Sequence, residues 1–206
     1  AIGDWDVSNI ENINDLFSQA ADFNGDIAHW DTSSVTSMSR MFFGATSFNS
    51  DLSSWAVSNV RDMSFMFATA AVFNGALSQW DVSSVMDMQS MFEKATVFNG
   101  DISKWVVSRV VDMRNMFKDT VNFNCDLSNW DTSRVITMTA MFANAKSFNG
   151  DVSTWRVSKV TDMASMFSGA LKFNGDVSKW DVSRVKNMDF MFYFAKSFVH
   201  TVCSST

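Results

Sequence analysis

The chain has 206 residues, 47% of them hydrophobic, and a formal net charge of −6. This apolar content excludes a disordered chain and is enough for a sizeable core. Eight Trp, 20 Phe and 15 Met exceed ordinary usage, and Pro is absent where about ten would be average, so something dictates residue type by position.

The tryptophans show what does. Trp5, Trp30, Trp55, Trp80, Trp105, Trp130, Trp155 and Trp180 recur every 25 residues and account for every Trp in the chain. With Trp as position 0, the repeat reads W-D-V-S-x-V-x-D-M-x-x-M-F-x-x-A-x-x-F-N-G-D-(I/V/L)-S-x. Phe fills positions 12 (Phe17 to Phe192) and 18 (Phe23 to Phe198) in all eight repeats. Met fills positions 8 and 11 in seven repeats each, which places 14 of the 15. Such a period is the signature of a solenoid, so residues 1–206 are expected to form a single domain of eight stacked coils. The first repeat opens without an evident cap, which fits an array continuing beyond Ala1.

Each repeat reads as one short helix and one short strand. Position 7 is Asp, Asn, Ser or Thr throughout, as in Asp62, Asp87, Asp112 and Asp162, residues suited to cap a first helical turn. Positions 8, 11, 12 and 15, as in Met88, Met91, Phe92 and Ala95, follow the i, i+3, i+4, i+7 spacing of an apolar helix face. A helix of about nine residues is unstable alone in water, so packing between coils must supply its stability. Phe-Asn-Gly-Asp then supplies turn residues, with Gly25, Gly75, Gly100, Gly150 and Gly175 at position 20. Ile102, Trp105 and Val107 match the L-x-x-L-x-L spacing of the leucine-rich repeat and predict a strand near positions 0 to 3. The expected architecture is an α/β repeat solenoid, a leucine-rich-repeat-like right-handed stack with one helix and one parallel strand per coil. At about 4.8 Å per coil it would be a rod about 40 Å long. Trp is expected to stack on Trp and Phe on Phe. Asn at position 19, from Asn24 to Asn174, is expected to form a ladder satisfying turn backbone inside the coil.

The string D-V-S-x-V-x-D-M-x-x-M-F-x-x-A-x-x-F-N-G-D-(I/V)-S-x-W, carried with small variations by residues 153–180, resembles the 25- to 26-residue repeats of bacterial surface proteins, among them mycoplasma and Listeria surface lipoproteins. The resemblance covers residues 5–199. It implies a leucine-rich-repeat-like solenoid at a cell surface or secreted, with an adhesive role and no catalytic residues to transfer. The chain departs from the pattern at its end, where Ser-Phe-Val-His-Thr-Val-Cys stands in place of Ser-Phe-Asn-Gly-Asp.

Chemistry is sparse. His29 and His200 lie near opposite ends, and Cys125 and Cys203 fall three coils apart, beyond the reach of a disulfide, so both are expected as free thiols. No enzyme, cofactor or metal is expected. The Asp residues at positions 21 and 1 fit turn capping better than a calcium loop. No apolar run reaches the roughly 20 residues of a membrane span, and residues 1–30 lack a signal-peptide pattern; any targeting segment is expected outside this chain.

Function is sought at positions the core leaves free. Position 4 reads Asn9, Ser34, Asn59 and Ser84, then Arg109, Arg134, Lys159 and Arg184. With Lys104 and Lys179 this predicts a basic stripe on the concave strand face. Residues 1–103 carry net −10 and 104–206 net +4, a polarity that steers an anionic partner or promotes head-to-tail association. A second surface is apolar: Met86, Val111 and Ile136 at position 6, and Phe190, Tyr193 and Phe194 on the outside of the last helix. The terminal trio reads either as a cap or as an interface. The expected function is a non-catalytic interaction or adhesion module binding a protein or acidic glycan. The alternative is a scaffold subunit of a larger assembly. Nucleic acid is disfavoured, because the aromatics are committed to the core.

Overall fold

The computed structural model describes residues 2–200. Successive 25-residue blocks form the coils of a repeat solenoid, and backbone hydrogen bonds running from coil to coil hold it together. In one direction the Arg61 N–H donates to the Thr36 carbonyl at 2.8 Å, and in the other the Phe67 N–H donates to the Met91 carbonyl at 2.9 Å. Seven single-residue parallel bridges join position 7 of adjacent coils, from Asn12 with Ser37 to Asp162 with Asn187.

The helix expected after position 7 does not form. Among the described residues the only helical segment is the 3-10 turn Ile2–Asp4. Position 10 adopts φ between +52° and +58° in all eight coils, and position 14 between +56° and +72°. A left-handed residue every fourth position prevents a right-handed helix from propagating. In place of i to i−4 bonds, the N–H groups of Met88, Ser90, Phe92 and Lys94 donate to Asp112, Arg114, Met116 and Lys118 of the next coil at 2.8–3.1 Å. The intervening N–H groups of Met91, Glu93 and Ala95 close tight turns onto Met88, Ser90 and Phe92 at 3.0–3.2 Å. Space decides the matter: the Phe92 N–H bonds the Met116 carbonyl of the next coil directly at 2.9 Å, which holds the two backbones about 4.8 Å apart, whereas packed helices need about 8–10 Å between axes. Met88, Met91, Phe92 and Ala95 are nevertheless fully buried, because a chain of turns returns the same positions to the interior.

The strand is also displaced. Near positions 0 to 3 the chain turns, with Trp105 N–H bonded to the Ile102 carbonyl at 3.1 Å and Val110 N–H to the Val107 carbonyl at 2.9 Å. Extended pairing falls instead at positions 6 and 7, one residue at a time. The position 7 side chains expected to cap helices close Asx turns, as where Asp87 accepts the Gln89 N–H at 2.8 Å and Asp112 the Arg114 N–H at 2.9 Å.

Three aromatic columns fill the interior. Stacked indoles such as Trp80–Trp105 and Trp155–Trp180 lie 6.3–6.5 Å apart and within 3° of parallel. Each of seven indole N–H groups, from Trp30 to Trp180, donates to a position 22 carbonyl 28 residues earlier in the chain at 2.9–3.1 Å, so a large buried ring leaves no polar atom unpaired. The position 12 phenylalanines stack on one another along the axis and on the position 18 ring of their own coil, as in Phe92–Phe98 at 4.0 Å.

The asparagine ladder is present. Oδ1 of each Asn from Asn24 to Asn174 accepts the backbone N–H one coil on at 2.8–3.2 Å, the last of them belonging to Val199. It runs along the exposed side of the turn rather than inside the coil.

Candidate functional site

Position 4 occupies a turn between the buried Val-type residues at positions 2 and 5, so its side chain points outward without belonging to a strand. The expectation of a strand face is corrected to that extent. In the second and third coils this side chain ties one coil to the next, where Ser34 Oγ donates to the Ser8 carbonyl at 2.6 Å and Asn59 Nδ2 to the Ser33 carbonyl at 2.7 Å. Arg109, Arg134, Lys159 and Arg184 have no such bond. All four are exposed, and among the described residues none forms a hydrogen bond or ion pair through its side chain. The same exchange occurs at position 24, where Ser54 and Thr154 bond the coil below at 2.6 Å and where Lys104 and Lys179 stand exposed.

The sequence reading missed Arg156, which belongs to this surface. Position 1 is Asp in Asp6, Asp31, Asp81, Asp131 and Asp181 but Arg in this coil, and that break in the column was the available signal. Its N–H and carbonyl are both held by Thr132 Oγ1, at 3.0 and 3.1 Å. The Ser133 hydroxyl and N–H, and to a lesser degree Arg156 and Arg134, hold the Asp131 carboxyl below its ordinary value against a small desolvation. Asp181 is lowered likewise by Ser183, with Arg184 adding to it.

The position 6 residues lie side by side on the outer face of the inter-coil ladder. Val111 N–H donates to the Met86 carbonyl and Ile136 N–H to the Val111 carbonyl, both at 2.9 Å. Met86 is 51% and Ile136 46% exposed, with Val111 half-buried between them. Phe190, Tyr193 and Phe194 stand on the turns of the last coil, not on a helix, as an exposed edge-to-face cluster with centroids 5.7 and 4.6 Å apart. The structure does not bring this cluster to the position 6 stripe, which lies in the fourth to sixth coils.

The acidic columns are engaged in turns. Asp26, Asp51, Asp101, Asp126, Asp151 and Asp176 each accept the N–H two residues on at 2.8–3.1 Å. Among the described residues no group of three or more His, Cys, Asp or Glu is placed to hold a metal. Cys125 is half-buried, and burial pushes its thiol up, away from the thiolate that a nucleophile requires. His200 Nε2 lies 3.0 Å from the Asn174 carbonyl, and Cys203 lies outside the described residues. Among the described residues no helix is long and apolar enough to cross a membrane.

No curated protein matches the sequence. Among solved structures, one chain of a TLR13–ssRNA13 complex is similar over 82% of this chain and 31% of its own length, at 11% identity and a TM-score of 0.37, a likeness too loose to carry an argument. The family DUF285, described as a Mycoplasma protein of unknown function, matches twice, over residues 1–105 and 94–205. Together the two matches run through nearly all of the solenoid, and the chain belongs to the DUF285 family.

Proposed function

We propose that this solenoid is a non-catalytic adhesion or interaction module, acting at a cell surface or in secreted form, that binds an acidic macromolecule through Arg109, Arg134, Lys159 and Arg184. The observation that carries the reading is the exchange at position 4. Ser34 and Asn59 bond the coil below in the second and third coils, whereas four consecutive coils later in the chain carry exposed cations whose side chains form no hydrogen bond or ion pair among the described residues. Like charges on neighbouring coils repel, and apart from Asp131 and Asp181, whose carboxyls Arg134 and Arg184 help hold ionised, the row of cations is open to an anion. Lys104, Lys179 and Arg156 enlarge the field. A row of exposed cations on turns suits the holding of an anionic chain.

The test is charge reversal of the four position 4 residues to Glu, with binding measured on surfaces coated with acidic polypeptide or acidic polysaccharide. Loss of binding is expected, as is weakening of the unaltered protein's binding with added salt. Unchanged affinity in the reversed variant rejects the assignment.

A second reading, a scaffold subunit of a larger assembly, is favoured by the ordered exposure of Met86, Val111 and Ile136 on one hydrogen-bonded ladder. Polar substitution of the three, or of Phe190, Tyr193 and Phe194, should release the protein from its complex; continued co-purification rejects that reading.

A further inference from the structure

We infer that Met86, Val111 and Ile136 meet a second copy of this chain in an antiparallel pair, with Val111 on the two-fold axis. This rests on the scaffold reading above and names the partner. Position 6 forms one unbroken row from Glu11 to Lys186, in which the N–H of each residue from Thr36 onward donates to the position 6 carbonyl of the coil before at 2.8–2.9 Å, so its side chains recur about every 4.8 Å. The row reads Glu11, Thr36, Arg61, Met86, Val111, Ile136, Thr161 and Lys186. Its three large apolar members are consecutive, and Met86 and Ile136 are 51% and 46% exposed. A two-fold axis through Val111, perpendicular to the row, lays Val111 on Val111, Met86 on Ile136 and Ile136 on Met86 of the second copy, each contact made twice as an isologous interface requires. Arg61 then faces Thr161, and Thr36 faces Lys186, so no like charges meet in this row.

Charge selects the antiparallel arrangement. The coils before the apolar stripe, residues 5–79, carry 8 acidic and 2 basic residues, net −6, and the coils after it, residues 155–204, carry 7 basic and 4 acidic, net +3. An antiparallel copy sets the acidic side of one chain against the basic side of the other at both ends of the stripe, whereas a parallel copy sets each side against its own kind. Position 4 agrees. In the antiparallel pair Arg134, Lys159 and Arg184 lie on the side of Ser84, Asn59 and Ser34 of the second copy, and only Arg109 meets its equal; in a parallel pair all four cations do. In the central coil the Arg114 guanidinium is bound to Asp112, so these two charges balance beside the axis. Three side chains make a small apolar core, so the flanking charges carry much of the attraction and salt opposes it.

The experiment is sedimentation equilibrium of the pure full chain over a range of concentrations. An association that stops at the dimer and weakens with added salt is expected. Val111→Arg and Val111→Glu should each weaken it at least about tenfold, because each sets like charges against one another on the axis. Both variants are expected to fold, because Arg61 and Glu11 occupy the same position. An equal mixture of the two variants should recover a dimer, since opposite charges then face each other across the axis. A chain that stays monomeric or grows into open-ended arrays, a dimer indifferent to either substitution, or a mixture that recovers nothing overturns the inference. The scaffold reading is judged separately: a monomeric chain that still loses its native companions on polar substitution of the stripe keeps that reading and removes the second copy as the occupant.

Discussion

Asn99 Oδ1 accepts the backbone N–H of Asn124 at 2.9 Å, one rung of a ladder in which each asparagine serves the coil above it. Replacing Asn99 by Ala leaves that N–H without a protein acceptor at the edge of a tight turn. The expected loss is about 1 kcal/mol, read as a lower urea midpoint. Asn99→Asp keeps the acceptor and should lose less; equal loss in the two variants would show that the amide does more than accept.

The indoles differ sharply in burial along their column. Trp105 is buried and donates to the Leu77 carbonyl at 3.0 Å, whereas Trp5 is 57% exposed. Trp105→Ala should cost about 3–5 kcal/mol, and Trp5→Ala much less, in chemical denaturation. Comparable losses would contradict an interior placement of the indoles.

Lys94 separates the turn architecture from the helical one by the sign of a single substitution. Its φ is +60° and its side chain is exposed, so Lys94→Gly relieves a left-handed backbone and should stabilise by up to about 1 kcal/mol. In a helix the same change would destabilise by a similar amount. Thermal denaturation of this one variant reads the answer directly.

Burial, more than the neighbouring Asp112 and Asp62, pushes the Asp87 carboxyl up, against the opposing pull of the Gln89 N–H and Arg114. A carboxyl raised in the folded state favours folding when protonated, so its contribution declines as pH rises from the unfolded value through the folded one. Asp87→Asn keeps an acceptor for the Gln89 N–H and removes the charge. The variant should melt higher than the parent at pH 7, with the gap closing as pH falls towards 4. The Asp residues at position 1 behave oppositely: Ser hydrogen bonds lower Asp81 and Asp131, so their support is present at neutral pH and lost on acidification. A gap that widens on acidification would reject the assignment for Asp87.

The amino-acid sequence by itself determined the coil length, the eight-fold stacking, the aromatic columns, the asparagine ladder and the exposed chemistry of position 4. Each is written as a residue type recurring at one position, and stacking 25-residue turns brings equal positions together whatever the local backbone does. Met88, Met91, Phe92 and Ala95 show where that reading ends: their spacing suits a helix face, yet turns with left-handed residues at Ser90 and Lys94 bury the same four side chains. Only the tertiary structure decided between them, because the choice is made by the distance between coils. Backbone bonds such as Phe92 N–H to the Met116 carbonyl, at 2.9 Å, draw the coils closer than helices can pack. The same bonds placed the inter-coil ladder at positions 6 and 7 and set the position 4 cations on turns, and they exposed Arg156 as a further member of the basic surface. Pairing between coils depends on which N–H groups point along the axis, a property of the folded backbone that no periodicity of side chains records.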